Sequence, residues 1–150
     1  MTLLRIATEA ELPAIVALLA DDDLGRAREH TATPLAPAYL AGFRAIAADP
    51  NQELLVTGPE GAPTACLQLS YIPGVSRRGA WRGLIEGVRV SADARGAGLG
   101  RAIILEAVER CRARGCSLVQ LTSDASRTRA HAFYERLGFE GSHLGFKLQL

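Results

Sequence analysis

RGAGLGRAII, Arg95–Ile104, sets Gly96, Gly98 and Gly100 at alternate positions and then runs straight into an apolar helical pattern. Glycine has no Cβ, so it adopts positive φ and lets another molecule approach its main chain, at an entropic cost when ordered. Upstream, Leu84–Val90 (LIEGVRV) has the apolar, β-branched texture of a strand. Downstream, Ile104, Val108 and Cys111, flanked by Ile103 and Ala107, share one side of a helix. Its other side carries Arg101, Glu106, Glu109, Arg110 and Arg112. The order is strand, turn, glycine loop, helix. Backbone N–H groups converging at a helix N-terminus, with the positive end of the helix dipole behind them, attract phosphate. A plain tight turn is the competing use of such a loop.

Spacing discriminates between phosphate ligands. A Walker-type loop needs Lys and then Ser or Thr after its last glycine, and Arg101 and Ala102 stand there instead. A dinucleotide fingerprint needs GxGxxG directly after the strand, whereas this loop reads GxGxG with Ser91–Ala94 intervening. What the stretch matches is R/Q-x-x-G-x-G/A, as Arg95, Gly98 and Gly100 behind a strand ending VRV. In this it resembles the GNAT superfamily of N-acetyltransferases, whose members hold the pyrophosphate of acetyl-coenzyme A in that loop.

A second motif, HAFYERLGF from His131 to Phe139, follows in the order the resemblance implies. Ala130, Phe133, Tyr134 and Leu137 have the i, i+3, i+4, i+7 spacing of a buried helix face, and Gly138 suits a left-handed C-cap. The family carries a similar helix ending in Tyr, two polar residues, an apolar residue and GF after its fifth strand. Ser117 to Thr122 (SLVQLT) supplies a strand between the motifs.

The rest of the chain is read from pattern. Leu3 to Ala7 predicts a first strand, and Thr8 with Glu11 a capping box before a helix over Leu12 to Leu19. Asp21, Asp22 and Asp23 oppose the macrodipole at that helix's end, so they are expected in or beyond its final turn. A second helix is predicted over Ala38 to Ala48, ended by Asp49 and Pro50. Strands are predicted over Glu53 to Thr57, Thr64 to Tyr71 and from Leu84 as an antiparallel meander, with a last strand over Leu144 to Leu150. The expected fold is α/β (α+β): a GNAT-like mixed, mostly antiparallel sheet of about six or seven strands with helices on both faces, one domain over 1–150.

Composition narrows the partners. A chain of 150 residues can bury roughly 70% of its unfolded surface without a staple. A formal net charge of +1 gives no electrostatic footprint for nucleic acid. No run is long enough to span a bilayer, and MTLLRIATEAEL lacks the features of a signal peptide, so a cytoplasmic protein is expected. Cys66, Cys111 and Cys116 lack CxxC spacing, which suggests neither a disulfide framework nor a metal site.

The resemblance implies acetyl-CoA as cofactor and transfer to the primary amine of a small molecule or peptide, by direct attack in a ternary complex. A homodimer is common among relatives, and a non-catalytic acyl-CoA-binding or regulatory module on the same fold is the alternative. Acetyl transfer needs a neutral amine, a donor for the oxyanion and a proton for the leaving thiolate. By motif, the fourth-strand main chain of Val88, Arg89 and Val90 contacts the pantetheine arm and acyl oxygen. The loop Arg95, Gly96, Ala97, Gly98, Leu99, Gly100 and Arg101 contacts the pyrophosphate. Tyr134 is the candidate acid; a core tyrosine would occupy the same helix position. Glu86 is the candidate base: period-two alternation predicts that it shares a face with Val88 and Val90, and an ion pair to Arg82 or Arg89 is the other reading. Arg127 replaces an Asn that many relatives carry seven residues before the tyrosine. It is either a variant coenzyme contact, with Arg127 or Arg129 meeting phosphate, or a basic helix start. His131, on a neighbouring face, is expected to be structural. For the acceptor, the resemblance implies a pocket drawing on Asp21 to Asp23, Glu29, His30, Tyr39 and Trp81, although a solvated acidic turn is the simpler reading of the aspartates.

Overall fold

A computed structural model describes residues 2–150 and contains one sheet, ordered β1 (Arg5–Ile6), β2 (Gln52–Thr57), β3 (Ala65–Ile72), β4 (Trp81–Val90) and β5 (Cys116–Leu121). Neighbouring strands are antiparallel except β4 and β5, which are parallel. A parallel pair requires a crossover, and α5 (Leu99–Ala113) provides it. Between β1 and β2 lie α1 (Leu12–Ala20), α2 (Asp23–Arg28) and α3 (Pro37–Ala48). A single turn, α4 (Ser76–Gly79), precedes β4, and α6 (Thr128–Arg136) follows β5. Among the described residues no helix is long and apolar enough to cross a membrane.

The sheet is buried on both faces. Leu55, Leu67, Leu69 and Ile85 pack with Ile103, Ile104, Ala107 and Cys111 of α5 on one side. Val56 and Cys66 pack with Ile15, Val16 and Leu18 of α1 and Phe43 of α3 on the other. The strand-four side of α5 sits very close: a Cβ at Gly83 would lie 2.2 Å from Cys111 Sγ. Only glycine permits that approach.

The mixed, mostly antiparallel sheet with helices on both faces agrees with the sequence reading, but it has five strands rather than six or seven. The first strand contracts to Arg5–Ile6. Leu144 to Leu150 joins no ladder, because its alternating pattern specifies a half-buried strand only where a neighbouring edge receives it. The aspartate cluster lies just beyond the final turn of α1, as expected, but a further helix begins within it. Asp21 caps the end of α1, while Asp22 is the N-cap of a helix the pattern did not announce, its carboxylate accepting from the Gly25 amide. The dipole of α2 favours that charge.

The capping box forms. Glu11, 1% exposed, accepts from the Thr8 amide at 3.0 Å, from both Arg5 guanidinium nitrogens at 2.6 and 2.9 Å, and from the Gly61 amide at 3.1 Å. The Arg5 hydrogen bonds, with smaller help from the Thr8 and Gly61 amides, outweigh burial and lower its pKa to about 2.

Candidate active site

The β4–β5 ladder begins at Trp81 opposite Cys116 and ends at Ile85 opposite Leu121, while β4 continues to Val90. Glu86 to Val90 therefore presents an edge with no strand beside it on the β5 side. Its other edge stays paired to β3, with Cys66 opposite Arg89 and Ala65 opposite Val90. The ladder stops here because β5 ends at Leu121 while β4 runs on to Val90.

A bulge lies inside this stretch. Gln68 faces Glu86 but Cys66 faces Arg89, and Gly87 takes φ +61°. The extra residue resets the alternation. Ile85, Val88 and Val90 all pack toward α5, whereas Glu86 falls on the face of its cross-strand neighbour Gln68. The expectation that Glu86 shares a face with Val88 and Val90 is thus corrected, and the burial it implied is absent: Glu86 is exposed. Among the described residues it makes no ion pair with Arg82 or Arg89. Arg89 instead meets Asp22, with Nε 2.9 Å from Oδ2 but out of line for a hydrogen bond, while Nη1 donates to Val88 O at 2.8 Å.

Past β4, a 3-10 turn over Ala92–Ala94 leads into the glycine loop. Gly96 and Gly98 take φ +82° and +80°, and Gly98 is the N-cap of α5. The first helical hydrogen bond runs from the Ala102 amide to Gly98 O at 3.0 Å. Among the described residues, the amides of Gly96, Ala97, Gly98, Leu99, Gly100 and Arg101 donate to no protein acceptor. All of these residues but Ala97 line a depression of about 280 Å³, together with Val90, Ala94, Arg95 and Phe133 of α6. The Arg95 side chain is itself engaged by the protein. Its Nε donates to Val90 O at 3.0 Å and its Nη2 to Asp21 O at 3.1 Å, with Asp21 Oδ2 at 3.3 Å. Arg95 straps the loop to the end of β4 and to the α1–α2 corner.

Tyr134 packs edge-on between Phe133 and Phe139, with ring centroids 5.1 and 5.9 Å away. Among the described residues its hydroxyl has no hydrogen-bond partner. Burial pushes its pKa up, against the opposing influence of the Arg127 and Arg89 charges. The helix face that carries it is only half-buried, and α6 contains no fully buried residue. The expected buried face is therefore incomplete, because nothing packs over its outer side. Arg127 stands at the N-cap of α6 and is exposed. His131 Nε2 lies 2.8 Å from Asp124 O, tying down the loop between β5 and α6.

The structure brings together the β4 end, the glycine loop and Phe133 of α6, with Tyr134 the next residue on that helix. It does not bring Trp81 to them: that residue begins β4, nine positions from Val90, or about 30 Å of extended chain. Tyr39 donates to Glu29 Oε1 at 3.2 Å and accepts from the His30 amide at 2.8 Å, so these three fasten α2 to α3. Two interactions escaped sequence analysis, Arg95 with Asp21 and Arg89 with Asp22. Only the second had a local signal, since Asp22 followed three residues later by Gly25 and then by Arg26 and Arg28 has the form of a capped helix. No group of three or more His, Cys, Asp or Glu side chains among the described residues can hold a metal.

Six free amides at a helix N-terminus suit a diphosphate. An unpaired strand edge suits an amide-bearing chain, and a phenol with a free hydroxyl can give a proton.

The model of the Acetyltransferase (GNAT) family matches residues 14–139. A glucosamine 6-phosphate N-acetyltransferase of Trypanosoma brucei brucei is 37% identical over 92 residues, 61% of this chain and 60% of that protein. The chain thus spans less than two thirds of that relative's length. An aminoalkylphosphonate N-acetyltransferase of Salmonella typhimurium is 29% identical over 109 residues, 73% of this chain and 70% of that protein. A crystal structure described as a transcriptional regulator of Bacillus halodurans superposes with a TM-score of 0.94 at 44% identity, covering 98% of each chain.

Proposed function

Because the chain belongs to the GNAT family of acetyltransferases, we propose that it is an acetyl-CoA-dependent N-acetyltransferase acting on the primary amine of a small molecule in a ternary complex. The observation that carries this reading is the row of free amides from Gly96 to Arg101 beside a β4 edge with no neighbour.

Acetyl-CoA supplies the activated acyl group; the rest is done by residues of the chain. The loop amides hold the diphosphate, aided by the α5 dipole. The main chain from Val88 to Val90 aligns the pantetheine arm and offers a donor where negative charge develops on the acyl oxygen. Tyr134, kept in its protonated form by burial, gives its proton to the departing sulfur from the α5–α6 side. Glu86, exposed on the opposite face of β4, takes the amine proton directly or through water from the α1–α2 side. The two groups thus serve the two ends of the transfer from opposite faces of one strand. Arg127 lies at the mouth of α6 as a further charge for the coenzyme. The two N-acetyltransferase relatives act on amines bearing a phosphate or phosphonate, and we propose this class for the acceptor.

Isothermal titration with acetyl-CoA, followed by thiol release with glucosamine 6-phosphate, aminoalkylphosphonates and a wider amine panel, tests the reading. Absence of binding at millimolar acetyl-CoA overturns it. The alternative, a CoA-binding module without turnover, is not favoured by the two relatives named as N-acetyltransferases. Saturable binding with no thiol release from any amine marks that outcome.

A further inference from the structure

Four arginines are half-buried: Arg5, Arg82, Arg89 and Arg110. Three are answered by a carboxylate, Arg5 by Glu11, Arg89 by Asp22 and Arg110 by Glu53. Among the described residues Arg82 pairs with no carboxylate. A guanidinium withdrawn from water gains from a counter-charge, and here the protein supplies none.

Arg82 borders a cavity of about 210 Å³ at the start of the parallel β4–β5 pair. Ser76, Arg77, Trp81, Ser117 and Gln120 also line it, and no acidic side chain does. Arg77 comes from the turn before β4. It and Arg78 take φ +52° and +62°, and they are the two non-glycine residues with positive φ among those described. The left-handed region is unfavourable for a residue with a Cβ. Such strain persists where the surroundings impose it, and it gathers at ligand sites. Two guanidinium groups, two hydroxyls and an amide around one hollow suit a phosphate-like anion.

The hollow lies on the same face as Glu86. Arg82, Leu84 and Glu86 alternate regularly opposite Ile72, Ser70 and Gln68, and the bulge comes only beyond them. Gln120 stands across from Leu84, on the face turned away from α5. Arg82 and Glu86 are about 13 Å apart along the strand, and an arginine stem leaning along the strand direction narrows the gap between the two charges.

We propose that this cavity seats the anionic group of the acceptor, gripped by Arg82 and Arg77, while the amine at the acceptor's other end reaches Glu86. The inference rests on the reading of the chain as an acetyltransferase of amines bearing phosphate or phosphonate, and it narrows that class. The two charged ends of the acceptor stand several bonds apart, as in an amino sugar phosphate. In aminomethylphosphonate a single carbon joins nitrogen to phosphorus, so an anion seated at Arg82 leaves that amine well short of Glu86.

Steady-state turnover at saturating acetyl-CoA with glucosamine 6-phosphate, glucosamine and aminomethylphosphonate tests this, with inorganic phosphate as a competitor. On the unaltered protein, glucosamine 6-phosphate is expected to exceed glucosamine in kcat/KM, and inorganic phosphate to compete with it. Aminomethylphosphonate should compete without being acetylated. Arg82→Gln should lower the kcat/KM ratio of the phosphorylated to the unphosphorylated sugar about 100-fold, through KM, and Arg82→Lys should restore part of it, with circular dichroism unchanged in both. A ratio that Arg82→Gln leaves unaltered overturns the proposal. So does an unaltered protein that prefers neither sugar, or that acetylates aminomethylphosphonate as well as glucosamine 6-phosphate. Inorganic phosphate that alters glucosamine turnover without competing against glucosamine 6-phosphate marks a regulatory anion site and overturns it too. Turnover without phosphate discrimination removes this inference alone, whereas no thiol release from any amine removes the acetyltransferase reading beneath it as well.

Discussion

Tyr134 differs from a satisfied core tyrosine in one property: its hydroxyl has no partner among the described residues, while burial raises its pKa. Tyr134→Phe should leave acetyl-CoA affinity unchanged in calorimetry and lower kcat about 100-fold, a typical contribution of one positioned acid. Unchanged turnover would make the ring a packing element alone. Glu86→Gln should also slow thiol release without altering acetyl-CoA binding, because the side chain is exposed away from the glycine loop. Glu11 governs stability instead. Its folded pKa, about 2, lies below the ordinary carboxylate value, so its stabilisation is complete above that ordinary value. It is lost as pH falls from the mid-fours toward 2. The full shift corresponds to about 3 kcal/mol, of which about 2 kcal/mol is lost between pH 6 and pH 3 because pH 3 still lies above the folded pKa; unfolding free energies from urea titrations at the two pH values should differ by that amount, with Glu11→Gln flattening the difference. The Thr8–Glu11 box was readable because it depends on spacing within one turn. The orientation of Glu86 was not, since a single bulged residue at Gly87 reverses what strict alternation implies.

At the scale of elements, two glycines fix the placement of α5. Gly98 supplies the left-handed residue that turns the chain into the helix with its amides outward. Gly98→Val should strain that turn by about 1–2 kcal/mol and abolish measurable acetyl-CoA binding in calorimetry, while the circular dichroism spectrum stays unchanged. Gly83 works at the other end of the contact. Gly83→Ala forces Cys111 away from β4 and should destabilise the protein by about 1–3 kcal/mol. Cys111→Ala in the same chain should recover part of that loss, a coupling visible in a double-mutant cycle of urea midpoints. The glycine loop and its helix were legible because their signals are contiguous in sequence. The free end of β4 beyond β5 was not, because it follows from where two strands about thirty residues apart each stop. The helix of the second motif was placed correctly, but its apolar spacing says only which side seeks cover, not whether cover is present.

For the whole molecule, the order of the longer strands and helices followed from pattern, while the short helices α2 and α4 and the count of strands did not, since a strand exists only with a neighbour. The two aspartates at the α1–α2 corner have a consequence on this scale. Asp21 holds the glycine-loop turn through Arg95, and Asp22, the next residue, meets Arg89 at the unpaired end of β4. The corner thus ties loop and strand to one two-residue joint, which on the proposed function the two ligands would share. Affinities should then be mutual, with the amine tightening the thioester by the same factor as the thioester tightens the amine. Titrating each ligand in the absence and presence of an unreactive analogue of the other would measure that factor, and Asp21→Asn should bring it toward unity.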